Sequence, residues 1–389
     1  IPVIEQTEAV GHAVRAGYLY CGVTDLAALT GDAGYTRAMD RIWHSVVDKR
    51  MYITGGLGAR RSGEAFGSDY ELPNLTAYNE TCAAVANALW QERMFLLHGN
   101  AQYVDVLERV LYNGILGGVS LSGDRFFYTN ALESDGARSR STRMPWFTWP
   151  CCLSNIVRIM PSIPGFIYAT TADAVYVNLF IGGSADLRLG ADRSAEALRL
   201  TQRTRYPWDG DINLTVNPAT DSDFAMHIRI PGWALGMPVP GDLYRYAEKE
   251  VPAFTLKLNG IPVRPALENG YAVLRRTWKS GDTVELNLPM PVRRVLANDG
   301  VDADRGRVAL ERGPLVYCAE GVDNGGRARS LNLPADAELV AEHRKDLLGG
   351  VTVILAKRAP GDSEPIVAIP YYAWANRGEG EMCLWLTAK

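Results

Sequence analysis

The run Pro164-Gly-Phe-Ile-Tyr-Ala-Thr-Thr-Ala-Asp-Ala-Val-Tyr-Val-Asn-Leu-Phe-Ile181 marks the place where this chain changes period. Residues 174–181 follow the two-residue rhythm of a strand and are rich in β-branched and aromatic side chains. Everything downstream continues in that manner. Residues 211–216, 224–230, 254–258, 271–276 and 284–288 read as strands. They are separated by turn signals at Trp208-Asp-Gly210, Asn217-Pro218, Pro231-Gly232 and Asn259-Gly260. A second series covers residues 307–311, 315–318, 351–355, 366–368 and 382–386. Many short strands with such turns predict β-sandwiches.

Upstream of the switch the period is helical. Apolar side chains recur at helix spacing over residues 8–20 (Val10, Val14, Gly17, Tyr18), with helix entry expected as early as Ile4. The pattern repeats over 35–50, with Met39, Ile42, Trp43, Val46 and Val47 inward. The Ala-rich segment 80–98 follows, with Leu89, Phe95 and Leu96 as candidate core residues. Residues 102–116 complete the series and stop at Gly117-Gly118. Between the second and third helices lies a polar, Gly-rich stretch over residues 54–78, and a loop that long inside a compact domain is usually functional. The expected organisation is therefore a helical region at 1–165, a β-sandwich at 166–298 and a second β-sandwich at 299–389, dividing near residues 298–304.

Composition narrows the function classes. The 389 residues carry a formal net charge of -4, so no basic face recommends nucleic acid as a partner. No apolar run approaches the roughly 20 residues of a membrane span. Thr54-Gly-Gly-Leu-Gly58 lacks the Lys-Ser/Thr ending of a phosphate loop, and no Gly-x-Ser-x-Gly elbow occurs. The chain starts at Ile1 without a visible leader, and the expectation is that something upstream is missing. The six cysteines (Cys21, Cys82, Cys151, Cys152, Cys318, Cys383) do not form a disulfide scaffold, and a bridge between the adjacent Cys151 and Cys152 is strained. A reducing, cytoplasmic setting with a thiolate–metal cluster is the simpler expectation.

Glu80-Thr-Cys82 lies at a helix start, and Cys151-Cys152 follows Trp149-Pro150. Zinc takes thiolate sulfur and carboxylate oxygen in tetrahedral sets. Residues i and i+2 reach one ion only where the backbone turns, as it does at a helix entry. Glu80, Cys82, Cys151 and Cys152 then make four ligands. Spacing alone leaves another reading open, in which these cysteines are small buried core residues. Likewise Glu64 reads as a solvated loop carboxylate beside Arg60 and Arg61, and His12 as a core histidine. Tyr128 and Trp149 read as plain aromatics, and His44 and His98 as structural.

Five strings alter that balance: Glu8-Ala-Val-Gly-His12-Ala-Val-Arg15, Thr54-Gly-Gly-Leu-Gly58, Gly63-Glu64-Ala-Phe66, Glu80-Thr-Cys82 and Cys151-Cys152. With Pro370-Tyr-Tyr-Ala-Trp-Ala-Asn-Arg377 and Gly380-Glu-Met382 near the end, they resemble the β-L-arabinofuranosidase family of glycoside hydrolases, family 127, over nearly the whole chain. The resemblance implies an (α/α)6 barrel followed by β-sandwich domains. It implies zinc held by Glu80, Cys82, Cys151 and Cys152, with Cys151 as nucleophile and Glu64 as general acid/base. It also implies that His12 contacts substrate and that Tyr128 and Trp149 line the pocket. The substrate is then an L-arabinofuranoside or related oligosaccharide. This fits retaining glycosidase chemistry, with a cysteine in place of one of the two usual carboxylates. Asp69 and Glu71, in the same loop as Glu64, compete for its role.

A full (α/α)6 barrel has twelve helices, whereas about five or six of ordinary length fit before residue 166. The expectation is a partial barrel whose remainder lies upstream or is supplied by association with another chain. Two other functions compete: a non-catalytic carbohydrate-binding protein with a purely structural zinc site, and a thiol redox protein using Cys151 and Cys152.

Overall fold

The computed structural model describes residues 1–137, 142–190, 197–357 and 364–388. Five helices of nine residues or more precede residue 166 among the described residues: α1 (Ala13–Thr30), α2 (Ala33–Val47), α3 (Thr81–His98), α4 (Ala101–Arg109) and α5 (Cys151–Ile159). The last turn of α4 runs into a wider π-helical segment, Val110–Ile115. Helix α3 is the hub, buried on almost every side from Thr81 to Phe95. Its alanines let α1 approach closely: a Cβ added to Gly17 would stand 2.8 Å from the Ala86 Cβ. Helix α2 packs Met39, Ile42, Trp43 and Val46 inward, and the Trp43 indole donates to Gln91 on α3 at 2.7 Å. No helix of the described residues is long and apolar enough to cross a membrane.

Two sequence expectations need correction. Helix α1 begins at Ala13, not near Ile4 or Glu8, because Gly11 adopts a φ of 77° and His12 caps the helix from an extended conformation. The shift turns Ala13, Ala16, Gly17 and Tyr20 inward and leaves Val10 55% exposed. Leu96, expected in the core, is exposed near the end of α3, as are Leu19, Leu26 and Leu29 on α1.

The β half follows the alternation of the sequence. A six-stranded sheet centred on Asp211–Pro218 and Asp282–Asn287 faces a five-stranded sheet centred on Ser222–Arg229 and Tyr271–Trp278. Their inner faces enclose Leu200, Leu214, Val216, Phe224, Met226 and Trp278 in one core, the β-sandwich expected. A third sheet of eleven strands is built on Arg307–Arg312, Leu315–Glu320, Ile366–Pro370 and Val351–Lys357. It draws in Glu133–Asp135 from the helical region, paired antiparallel with Glu381–Cys383. The architecture is a partial helical barrel followed by β-sandwich layers.

Polar contacts lock the helices onto the sheets. Asn113 in the π-helical segment donates to the Pro314 carbonyl at 2.9 Å and accepts from the Val316 amide at 2.9 Å. Arg109 pairs with Glu311, and Arg229 pairs with Asp105 at 2.7 Å and with Glu108.

Candidate active site and metal centre

Two helix N-termini converge on one point. Glu80 is the N-cap of α3, with Cys82 in its first turn, while Cys151 and Cys152 are the first two residues of α5. Residues 127–130 pin the entry to α3. The Thr81 amide donates to the Tyr128 carbonyl at 3.0 Å, the Thr81 hydroxyl to the Phe127 carbonyl at 2.7 Å, and Glu80 bridges Thr129. The partial positive charge of a helix N-terminus favours anions, so both helices favour thiolates at this place.

One ligand atom from each of Glu80, Cys82, Cys151 and Cys152 lies within 4.8 Å of all the others. Cys82 Sγ and Cys152 Sγ are 3.3 Å apart, and Glu80 Oε1 lies 3.5 Å from Cys151 Sγ and 3.6 Å from Cys152 Sγ. Tetrahedral zinc with ordinary Zn–S and Zn–O bonds separates its donors by about 3.5–3.8 Å. The second carboxylate oxygen, Glu80 Oε2, is buried without a hydrogen-bond partner. A buried carboxylate oxygen without a donor is costly unless a cation satisfies it. Spacing, donor chemistry and the orphaned oxygen all fit a zinc ion.

The three sulfurs are not equivalent. Cys82 and Cys152 are fully buried, whereas Cys151 is partly open to solvent. A hydrogen bond from Cys152, assisted by bonds from Tyr128, Cys82 and Glu80, holds the Cys151 thiol down to about 5. Donating that bond pushes Cys152 up, with its contact to Cys82 and burial acting the same way. Burial pushes Glu80 up to about 7. The Tyr128 hydroxyl stands 3.3 Å from Cys151 Sγ.

Glu64 reaches this cluster from the Gly-rich loop. It takes a φ of 50°, in the left-handed region that residues with a Cβ seldom occupy. The loop docks on the start of α1: the Phe66 amide donates to the Gly11 carbonyl at 2.9 Å, and Ala65 bridges His12. As a result His12 Nε2 lies 2.7 Å from Glu64 Oε2. Burial, with the nearby Glu64 carboxylate acting the same way, pushes the Tyr78 phenol up, and the Tyr78 and Tyr128 rings meet edge-on with centroids 6.3 Å apart. Neighbouring side chains thus lead from His12 and Glu64 past Tyr78 to Tyr128 and Cys151. A groove of about 370 Å³, lined in part by Arg61, Thr76, Tyr78 and Thr129, opens beside it.

Of the residues singled out from sequence, Glu80, Cys82, Cys151, Cys152, Tyr128, Glu64 and His12 meet in one place. Trp149 stands at the edge of the same place: the residue is 76% exposed, and its carbonyl lies 3.7 Å from Cys151 Sγ. Asp69 and Glu71 are engaged elsewhere, with Lys49 and Arg50 and with Arg60 respectively. His44 and His98 face Asp48 and Asp40. Sequence reasoning misses Tyr78, although it stands two residues before Glu80, in the strand-like approach to α3.

Comparison with known proteins gives the same answer along the whole chain. Residues 1–165 match the catalytic domain described for β-L-arabinofuranosidases of glycoside hydrolase family 127. Residues 174–290 match the middle domain of that family, and 292–387 its C-terminal domain. A non-reducing end β-L-arabinofuranosidase of Bifidobacterium longum is 38% identical over 98% of this chain and 60% of that protein. Among solved structures, a family 127 β-arabinofuranosidase superposes with a TM-score of 0.94 at 48% identity, covering 100% of this chain and 62% of that one. A family 127 β-L-arabinofuranosidase from Geobacillus stearothermophilus T6 superposes with a TM-score of 0.89 at 42% identity, again over 100% of this chain and 62% of the other. The chain therefore spans about 60% of the length of these relatives. With every domain match in register and such identity throughout, the chain belongs to glycoside hydrolase family 127.

Proposed function

We propose that this chain carries the catalytic centre of a retaining glycoside hydrolase that acts on β-L-arabinofuranosides, with Cys151 as nucleophile and Glu64 as general acid/base. One observation carries the proposal: of the four candidate ligands, only Cys151 is open to solvent, and hydrogen bonds hold its thiol low. The substrate class rests on the relatives, which are named for that activity.

Zinc held by Glu80, Cys82, Cys151 and Cys152 would keep the thiolates deprotonated and spread their charge. The remaining chemistry belongs to the side chains. The Cys151 sulfur attacks the anomeric carbon while the glycosidic C–O bond breaks. Glu64 gives its proton to the departing oxygen, leaving a thioglycoside on Cys151 and a carboxylate at Glu64. That carboxylate then takes a proton from water, and the water oxygen attacks the same carbon. The C–S bond breaks and the electron pair returns to Cys151. Two inversions give net retention. His12 orients Glu64 through its Nε2. Tyr128 donates to the sulfur when it carries charge.

Paired variants test the assignment. Glu64→Gln is expected to keep its zinc and lose turnover by about 100–10,000-fold. Cys151→Ser is expected to lose turnover down to background. Wild-type rates in Cys151→Ser would remove the nucleophile, and loss of zinc in Glu64→Gln would make Glu64 a ligand. Unaltered activity in metal-free wild type would favour a mechanism without the ion. A purely structural site is the competing reading, favoured by the closure of the tetrahedron by three thiols and a carboxylate. It expects both variants to leave carbohydrate binding intact and the wild type to turn nothing over.

A further inference from the structure

The loop that carries Glu64 also carries a cation. Arg60 and Ala65 exchange two backbone hydrogen bonds of 3.0 Å and close the four residues between them into a tight loop. Arg61 stands at one end of that loop and Glu64 at the other, with the Glu64 amide donating to the Arg61 carbonyl at 3.2 Å. The two neighbouring arginines meet different surroundings. Arg60 is paired with Glu71, whereas no carboxylate is in ion-pair contact with Arg61 among the described residues. Arg61 instead lines the groove of about 370 Å³ beside the site. The segments around that groove are tied together by their backbones. The Asn79 amide donates to the Gly58 carbonyl at 2.7 Å, and the Asn130 amide to the Asn79 carbonyl at 3.0 Å. The lining is mixed: Thr76, Tyr78 and Thr129 bring hydroxyls, and Ala77 and Ala131 bring small apolar surface. A sugar ring has the same two characters, with hydroxyls at its edge and C–H groups on its faces. The volume falls among those of pockets that hold small ligands, about 300–1,000 Å³.

We infer that this groove is the leaving-group subsite and that Arg61 sets specificity there, its guanidinium donating to the hydroxyl oxygens of a departing sugar. The inference rests on the reading of Glu64 as general acid/base. A general acid must reach the glycosidic oxygen, so the departing group lies on its side of the scissile bond. The groove is on that side, since Arg61 shares the closed loop of Glu64. A guanidinium offers five N–H donors in a fixed plane and accepts nothing. Without a carboxylate partner, those donors are available to an oxygen-rich ligand. A bare methyl group as leaving group gives them no acceptor. Arg61 also acts in one half of the reaction only. Once the sugar has left, the guanidinium has no part in the hydrolysis of the thioglycoside on Cys151.

The test compares two substrates on the whole, zinc-loaded chain: a β-L-arabinofuranosyl disaccharide and methyl β-L-arabinofuranoside. For the disaccharide, Arg61→Ala is expected to lower kcat/KM by about 10–100-fold, the range of hydrogen bonds from a charged donor. For the methyl glycoside the same variant is expected to match wild type. Arg61→Lys keeps the charge without the fork and is expected to fall between. Rapid-quench single turnovers on the disaccharide supply the second readout. Formation of the glycosylated enzyme is expected to slow in Arg61→Ala, while its hydrolysis runs at the wild-type rate. Disturbance of the loop alone would move Glu64 and slow both half-reactions with both substrates, and that result overturns the inference. Arg61→Ala with wild-type kcat/KM on the disaccharide also overturns it and leaves the role of Glu64 standing. Wild-type protein that turns over neither substrate overturns the catalytic reading and this inference together.

Discussion

Where α4 meets the five-stranded sheet, Arg229 is fully buried between Asp105 and Glu108, and Glu108 also accepts from the Tyr206 hydroxyl at 2.8 Å. At the entries to α3 and α5, Glu80 is buried against Cys82, Cys151 and Cys152. Both clusters gather ionisable side chains out of water, but they close differently. Around Arg229 the cation is part of the chain. Its Nε even finds the Asn178 carbonyl at 2.6 Å, and Asn178 accepts from Tyr271 at 2.8 Å. Around Glu80 every member is an acid, one carboxylate oxygen has no donor, and no Lys or Arg is in ion-pair contact among the described residues. A cluster that supplies its own counter-charge is structural. A cluster of acids that lacks one is arranged for a cation from outside, and that difference separates scaffold from site more clearly than burial does.

The largest effect is expected where the internal counter-charge is removed. Arg229→Met leaves the buried Glu108 and the partly buried Asp105 without their cation, and loss of one partner of a buried pair costs about 3–5 kcal/mol. Urea denaturation of metal-loaded protein measures it. The surviving folded fraction should bind zinc normally, because the arginine pairs with Asp105 and Glu108 and with none of the candidate ligands. A loss below about 1 kcal/mol would show that water, rather than Arg229, satisfies those carboxylates. Next in size is Glu80→Gln, which keeps shape but removes the anionic ligand. Zinc affinity is expected to fall by more than about a hundredfold, beyond what second-sphere partners contribute. The same substitution should leave metal-free stability level or improved, since it removes a buried acid. If Glu80→Gln instead destabilised the metal-free protein as Arg229→Met does, the two clusters would be of one kind.

The two clusters also differ in how far the amino-acid sequence discloses them. Apolar spacing locates α2, α3 and α4 closely, and alternation locates the inner strands, because each buries one regular stripe. Alternation does not reveal Ala197–Thr204, where the polar Gln202 takes an inward position and donates to the Leu179 and Ile181 carbonyls. Nor does it reveal Glu338–Arg344, a strand paired on one side only and largely exposed, so no apolar stripe announces it. Helix α5 is hidden by its nine residues and by the prominence of its two cysteines. The ligand set is legible through its resemblance to a family, while spacing alone leaves a core reading open. The Arg229 network is not legible at all: Asp105 and Glu108 are more than a hundred residues from Arg229, and a charged residue in a strand reads as solvent-facing until the helix beneath it is in place.

Asp304 offers the finest test, because it stands between the two arrangements. It is buried in a short turn, Asp302–Asp304, and accepts from Asn74 at 2.7 Å, which ties the Gly-rich loop to the third sheet. No Lys or Arg is in ion-pair contact with it among the described residues, and burial pushes it up to about 7, against the pull of Asn74 and Arg307. Its folded value thus lies above that of the unfolded chain. Below about pH 4 the carboxyl is protonated in both states and costs nothing. Between about pH 4 and pH 7 the unfolded chain has released the proton while the fold retains it, so stability falls as pH rises. Above pH 7 both states are ionised and the loss is complete. Asp304→Asn keeps an acceptor for Asn74 and cannot ionise. The variant is therefore expected to gain on wild type by about 1–3 kcal/mol at pH 8 and by almost nothing at pH 4. Urea midpoints at several pH values measure the difference, and taking variant against wild type cancels the similar contributions of Glu80 and Glu92. A difference that stays constant across this window would mean that Asp304 is ionised in the fold throughout, with Arg307 acting as its counter-charge, and would move it to the side of Arg229.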